Sequence, residues 1–148
     1  MRALLISAIA IAGFIALGAA PLRAAEMPSD AEVAAHEAVL DLAGAFTNDG
    51  FKLRDGNYSG TLKTGQSVVV QLNLYAGNQY WFSVATGDPN TAVTVSLYDE
   101  SGKLLQTEPY ADAHRAAAGF APEASGPYYV RIANAGAPAT FCLIYSYK

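Results

Sequence analysis

Catalysis or metal binding in this chain would have to be built from His36, His114, Cys142 and a scatter of turn carboxylates. Nucleophilic catalysis needs a nucleophile, a base and a group that orients the base. His36 falls in an apolar stripe with Val33 and Leu40 and reads as a partly buried packing residue, while His114 stands beside Arg115 with no motif around it. The sequence contains neither a Gly-x-Ser-x-Gly elbow nor a His-Glu-x-x-His pair. Cys142 lies in an apolar, strand-like run without the positive surroundings that activate a thiolate. A buried thiol is expected there, the alternatives being a reactive thiol or an intermolecular bridge. As the only cysteine, it makes no intramolecular disulfide. Asp88, Asn90, Asp99, Glu100 and Asp112 are oxygen donors of the type calcium prefers, but they lack dense calcium-loop spacing. Turn chemistry already accounts for Asp and Asn at such positions. The expectation is a protein that is not an enzyme and has no resident cofactor, calcium being the one metal whose ligand types are present.

Aromatic residues give a different chemistry. If Tyr80, Phe82, Tyr128 and Val130 point into a core, alternation puts Trp81, Tyr129 and Arg131 on the opposite faces of their strands. Exposed Trp and Tyr there would stack on sugar rings or anchor a protein partner. The alternative is that a helix or an edge loop covers them.

The elements that position these residues follow from periodicity. Ser29-Asp30-Ala31-Glu32 fits a capping box, and residues 30–46 continue it as a helix rich in Ala, Glu, Val and Leu. Val33, His36, Leu40 and Ala43 are expected along one face, widened by Val39, Leu42 and Phe46. Thr47-Asn48-Asp49-Gly50 supplies the stop. This helix is either a lid on the following domain or a docking face for another protein. From Phe51 the period becomes two: Val68, Val70, Leu72 and Leu74 alternate with Val69, Gln71 and Asn73, and similar runs cover residues 80–85, 93–98, 128–133 and 141–145. Residues 110–118 are less regular. With residues 58–63 and the segment near His114, about eight strands are separated by Gly, Pro, Asn and Asp turns. That spacing predicts an all-β antiparallel sandwich or barrel preceded by one N-terminal helix.

Several fragments also carry a family resemblance. They are Tyr58-Ser59-Gly60-Thr61-Leu62 with Gly65-Gln66, Leu74-Tyr75-Ala76-Gly77 with Tyr80-Trp81-Phe82, and residues 93–97 leading into Tyr98-Asp99-Glu100-Ser101-Gly102. Phe120-Ala121-Pro122 and Ser125-Gly126-Pro127-Tyr128-Tyr129-Val130-Arg131-Ile132 complete the set. In this order they resemble the bacterial pre-peptidase C-terminal (PPC-like) domain, over residues 57–147. The resemblance implies a jelly-roll-like β-sandwich. It also implies association with secretion, with adhesion to substrate or matrix, and in some members with calcium. A helix stands where a peptidase would be, so the expected form is a stand-alone exported domain.

The first residues give the compartment. Met1-Arg2, an apolar run from residue 3 to 20, Pro21 and the small-residue stretch ending at Ala24-Ala25 have the order of a cleavable signal peptide. The run is long enough to raise a membrane anchor as the alternative, at about 18 residues. The stretch has no lipid-accepting cysteine and no twin-arginine pair, so the general secretory pathway is expected. The expected division is a signal peptide at 1–24, a helical segment at 25–50 and a β-sandwich at 51–148. Cleavage removes Arg2 and Arg23, leaving seven basic against 13 acidic residues and a net charge near −6. That balance disfavours nucleic acid and anionic lipid as partners. The function expected is a periplasmic or secreted non-catalytic module, binding a protein partner or an envelope or extracellular polymer without a stable membrane anchor. A carbohydrate-binding module using Trp81, Tyr129 and Arg131 is the first alternative, and a calcium-dependent adhesion or stability domain the second.

Overall fold

The computed structural model describes residues 26–148, so the signal peptide expected at 1–24 lies outside the described residues. These residues form one helix, α1 (Asp30–Thr47), and nine strands: β1 (Lys52–Leu53), β2 (Tyr58–Leu62), β3 (Ser67–Leu74), β4 (Tyr80–Thr86), β5 (Val93–Tyr98), β6 (Glu108–Asp112), β7 (Arg115–Phe120), β8 (Gly126–Asn134) and β9 (Ala139–Tyr147). Every strand pairing among the described residues is antiparallel. Six strands make one sheet in the order β1-β9-β4-β7-β6, with β2 also pairing β9, and three make the other in the order β3-β8-β5. The fold is an all-β sandwich with a helix laid on the outside of its larger sheet.

Alternation builds the core between the sheets. The inward positions of β4 and β9 supply Tyr80, Phe82, Val84, Phe141 and Leu143; β3, β5 and β8 answer with Leu72, Leu74, Leu97, Val130 and Ile132. Phe82, Val84, Leu97, Val130, Ile132 and Leu143 are fully buried. Each such side chain contributes about 1.5–3 kcal/mol of burial.

The helix begins as its sequence requires. The Glu32 amide donates to Ser29 Oγ at 3.3 Å, and the Ser29 amide donates to the Glu32 carboxylate at 2.7 Å. The Ser29 amide and then its hydroxyl hold the Glu32 carboxyl below the usual carboxylate range. The buried face overlaps the expected one at Val39, Leu42 and Ala43 but is rotated from it. Ala35, Val39, Leu42 and Ala43 are buried, whereas Val33 and Leu40 remain 45% and 39% exposed and His36 sits at the margin. The reason is the surface beneath. Ala35, Ala38, Val39 and Ala43 meet Ala85, Cys142 and Ile144 on the outer face of the larger sheet. Small residues on both sides let the backbones approach closely, and a Cβ on Gly87 would stand 2.6 Å from the Ala34 Cβ. The helix thus buries one valine and one leucine, Val39 and Leu42, with two alanines, and leaves Val33 and Leu40 outside.

The irregular stretch at 110–118 is a hairpin, β6–β7. Ala113 at its tip has φ 25, in the left-handed region, and the Asp112–Arg115 ion pair closes the turn. β6 contains Pro109 and is exposed at an edge of the larger sheet, a position that tolerates proline. β7 runs Arg-Ala-Ala-Ala-Gly-Phe and is buried on both faces, so no alternation marks it as a strand.

Candidate functional site

The three aromatic and basic candidates do not form one surface. Trp81 is on β4, and its ring stacks on Phe46 of α1 with centroids 4.2 Å apart and planes within 10°. A Cβ on Gly119, the β7 residue paired with Trp81, would lie 2.9 Å from the indole. Trp81 is thus one of the contacts between the helix and the larger sheet, and the helix lies over it as a lid. Tyr129 and Arg131 are on β8, the centre of the other sheet, and face the opposite side of the sandwich. Their outward neighbours are Gln71 and Tyr98 beside Tyr129, and Val69 and Ser96 beside Arg131. The Arg131 Nε donates to Ser67 Oγ at 3.2 Å. No helix covers this face among the described residues, and Val69 is 53% exposed on it.

The oxygen donors of the turns are engaged locally. Asp88 accepts from the Asn90 amide at 2.9 Å and its side-chain nitrogen at 3.1 Å. Asp99 accepts from the Ser101 amide and hydroxyl and from the Lys103 amide, at 2.9, 2.6 and 3.0 Å. These bonds, the Ser101 hydroxyl first, hold its carboxyl below the usual range. Arg115 does the same for Asp112. Glu100 is exposed beside Asp99. The donors sit in separate turns, and the described residues contain no group of three or more His, Cys, Asp or Glu placed to hold a metal ion. His36 is on the helix and His114 in the β6–β7 turn, so the two histidines are not brought onto one element. Cys142 is fully buried under α1, where burial pushes its thiol up.

A cleft of about 360 Å³ opens where the edge of β3 faces the larger sheet. Five tyrosines line it: Tyr58, Tyr75, Tyr80, Tyr145 and Tyr147. Gln71, Asn73 and Asn78 add amides, Leu72 forms part of the floor, and Arg54 supplies a guanidinium. Each arrives by a simple rule. Tyr80 and Tyr145 occupy inward positions at the end of paired strands, their rings 6.4 Å apart. Gln71 and Asn73 occupy outward positions of an edge strand, and Tyr58 begins β2 opposite Leu143. The Arg54 amide donates to the Tyr145 carbonyl at 3.0 Å, which fixes the chain just after β1 at the rim. Tyr75 is 62% exposed and Tyr58 42%. Tyr145 is pushed up by burial first, against the opposing charge of Arg54, so its phenol stays neutral and able to donate.

The cleft combines π faces, amides and hydroxyl groups, the mixture that holds a polyhydroxylated ligand by stacking and hydrogen bonds. A second cavity of about 370 Å³, beside the helix start, is lined mostly by Ala31, Ala34, Thr61, Gly87 and Thr140 and has no aromatic group. Sequence reading missed the tyrosine cleft because its residues come from three stretches far apart in the chain, 54–58, 71–80 and 145–147. The one available signal was the recurrence of tyrosine at 58, 75, 80, 145 and 147, near strand ends rather than in strand centres. A scan of the chain against protein-family models finds no match, and a search of curated proteins finds no significant relative.

Proposed function

We propose that this chain is an exported, non-catalytic binding module whose ligand is a polysaccharide of the cell envelope or extracellular matrix. The tyrosine cleft carries this reading: five phenol rings and three amides surround an open groove large enough for a sugar unit. The ordered signal-peptide pattern of residues 1–24 supports export, and the PPC-like fragments support an adhesive role. The carbohydrate-binding alternative is thereby relocated. Trp81 serves helix packing, and the stacking surface is the cleft, with Tyr129 and Tyr98 on the adjoining open face reached through Gln71.

Polysaccharide co-sedimentation separates the sites. Tyr75→Ala is expected to abolish retention on the polymers that the wild-type protein binds, while an equally folded Trp81→Phe protein keeps it. Retention lost with Trp81→Phe and kept with Tyr75→Ala would overturn the assignment. A second reading, a protein partner on the open face, rests on the exposed Val69 beside Tyr129 and Arg131. It predicts co-purification from native envelope fractions that Val69→Lys removes and Tyr75→Ala leaves intact.

A further inference from the structure

We propose that the cleft selects acidic saccharides, with Arg54 receiving the carboxylate of a uronate unit; this rests on the polysaccharide reading above. Three observations point the same way. The described residues carry six more acidic than basic side chains, yet no Asp or Glu lines the cleft. Its one cation, Arg54, has no ion-pair partner among the described residues; Arg115 with Asp112 makes the ion pair found there. A guanidinium presents five donors and no acceptor, and Arg54 is exposed, so its fork is open to a carboxylate supplied from outside.

The third observation is Tyr80. Its side chain is buried, at 4% exposure, and its hydroxyl accepts from the Tyr75 amide at 3.0 Å and from Asn78 Nδ2 at 3.1 Å. Both lone pairs are then used, and the remaining O–H has no acceptor among the described residues. It must donate, and the cleft it lines is where an acceptor can come from. The site therefore offers a guanidinium and a phenol O–H to acceptor oxygens. The amides of Gln71 and Asn73 take ring hydroxyls, and the exposed Tyr75 ring lies against a sugar face. A ligand with one negative charge per unit and many hydroxyls matches this donor set better than a neutral glycan. Several phenols and amides around a single cation also favour it over a small inorganic anion.

The test is isothermal titration of the protein with oligomers of galacturonic, mannuronic and guluronic acid, each paired with its fully methyl-esterified form. Esterification removes the charge and keeps the ring and hydroxyl groups. At least one acid oligomer is expected to bind on the order of tenfold or more tighter than its ester, the scale of a hydrogen bond to a charged group. Arg54→Gln is expected to bring the acid down to the ester, and added salt to weaken the acid alone. Tyr75→Ala should weaken acid and ester together. Trp81 fluorescence verifies that each variant is folded. Acid and ester bound alike, with Arg54→Gln without effect, would overturn the charge selection and leave the cleft a neutral-glycan site. No binding of any acid or ester would overturn the polysaccharide reading along with it. Binding of a poly-glutamate peptide in place of the uronates, lost in Arg54→Gln, would overturn the saccharide assignment and keep Arg54 as an anion reader.

Discussion

The two outer faces of the sandwich are built from the same kind of alternating strand, yet one is covered and the other is open. On the larger sheet the outward positions of β4, β7 and β9 include Trp81, Ser83, Ala85, Ala117, Gly119, Cys142, Ile144 and Ser146, small except for the indole and one isoleucine, with the longer Arg115 at the hairpin end of β7, where Asp112 holds it. On the smaller sheet they include Val69, Gln71, Asn73, Ser96, Tyr98, Tyr129 and Arg131, with the small Ser67, Ala133 and Thr94 side by side at one end. A helix can close on the first set because its own Ala35, Ala38 and Ala43 meet residues as small as themselves. On the second set, long side chains would hold it away. Whether an outward-facing aromatic residue is a ligand platform or a packing residue thus depends on the size of its neighbours across strands, not on the alternation that puts it there.

The comparison breaks most sharply at Val39, which is fully buried between α1 and the sheet. Val39→Asp leaves an unpaired carboxylate there and is expected to cost about 3–5 kcal/mol, read from urea unfolding. A loss below 1 kcal/mol would mean that the helix leaves the sheet readily. Trp81→Ala removes the stack on Phe46 and should cost about 2–4 kcal/mol. Tyr129→Ala on the open face should cost under about 1 kcal/mol. Equal losses for the two would erase the distinction between the faces. Ser29→Ala removes the capping side chain and is expected to cost about 1 kcal/mol, with Ser29→Asp restoring most of it.

The smallest effects are in pH. Asp99 and Asp112 are held below their usual range by the Ser101 hydroxyl and by Arg115, so the folded protein binds their protons less readily than the unfolded chain. Their contribution is present above the unfolded value of about 3.9 and is lost as pH falls through the lower folded values. Cys142 behaves oppositely. Burial raises its folded value, so stability declines once pH rises past the unfolded value of about 8.5 towards the folded one. Melting temperatures across pH are expected to fall at both ends, and Cys142→Val should flatten the alkaline side. An unchanged alkaline side would place the thiol's ionisation elsewhere in the balance.

How far the sequence revealed these features depended on how local each signal was. The capping box at Ser29 and Glu32 and the stop after Thr47 are local, and the helix ends where they put it, to within a residue. Strands with one solvated face, such as β3, show alternation directly. β7 does not: Ala116, Ala117 and Ala118 are buried from both sides, and alanine carries no strand preference. The helix face was placed only in part, for the same physical reason. Val39, Leu42 and Ala43 of the expected face are buried, but the geometry of close approach adds Ala35 and Ala38 and leaves Val33 and Leu40 outside. Trp81, Tyr129 and Arg131 do lie on the strand faces away from the core, but alternation assigns a residue to a face, not to a sheet, and Trp81 is on one sheet while Tyr129 and Arg131 are on the other. The cleft is least legible of all, since residues as far apart as Arg54 and Tyr147 meet only through the β1–β9 pairing.

The proposed ligand surface is the tyrosine cleft rather than the helix-covered face. Trp81 is the only tryptophan in the chain, so its indole N–H gives a single resonance in a nitrogen–proton correlation spectrum. Titration with the uronate oligomers is expected to shift the amides of Arg54, Gln71, Tyr75 and Tyr145 and leave that indole resonance in place. Movement of the Trp81 indole and the Phe46 amide, with the cleft amides still, would contradict it.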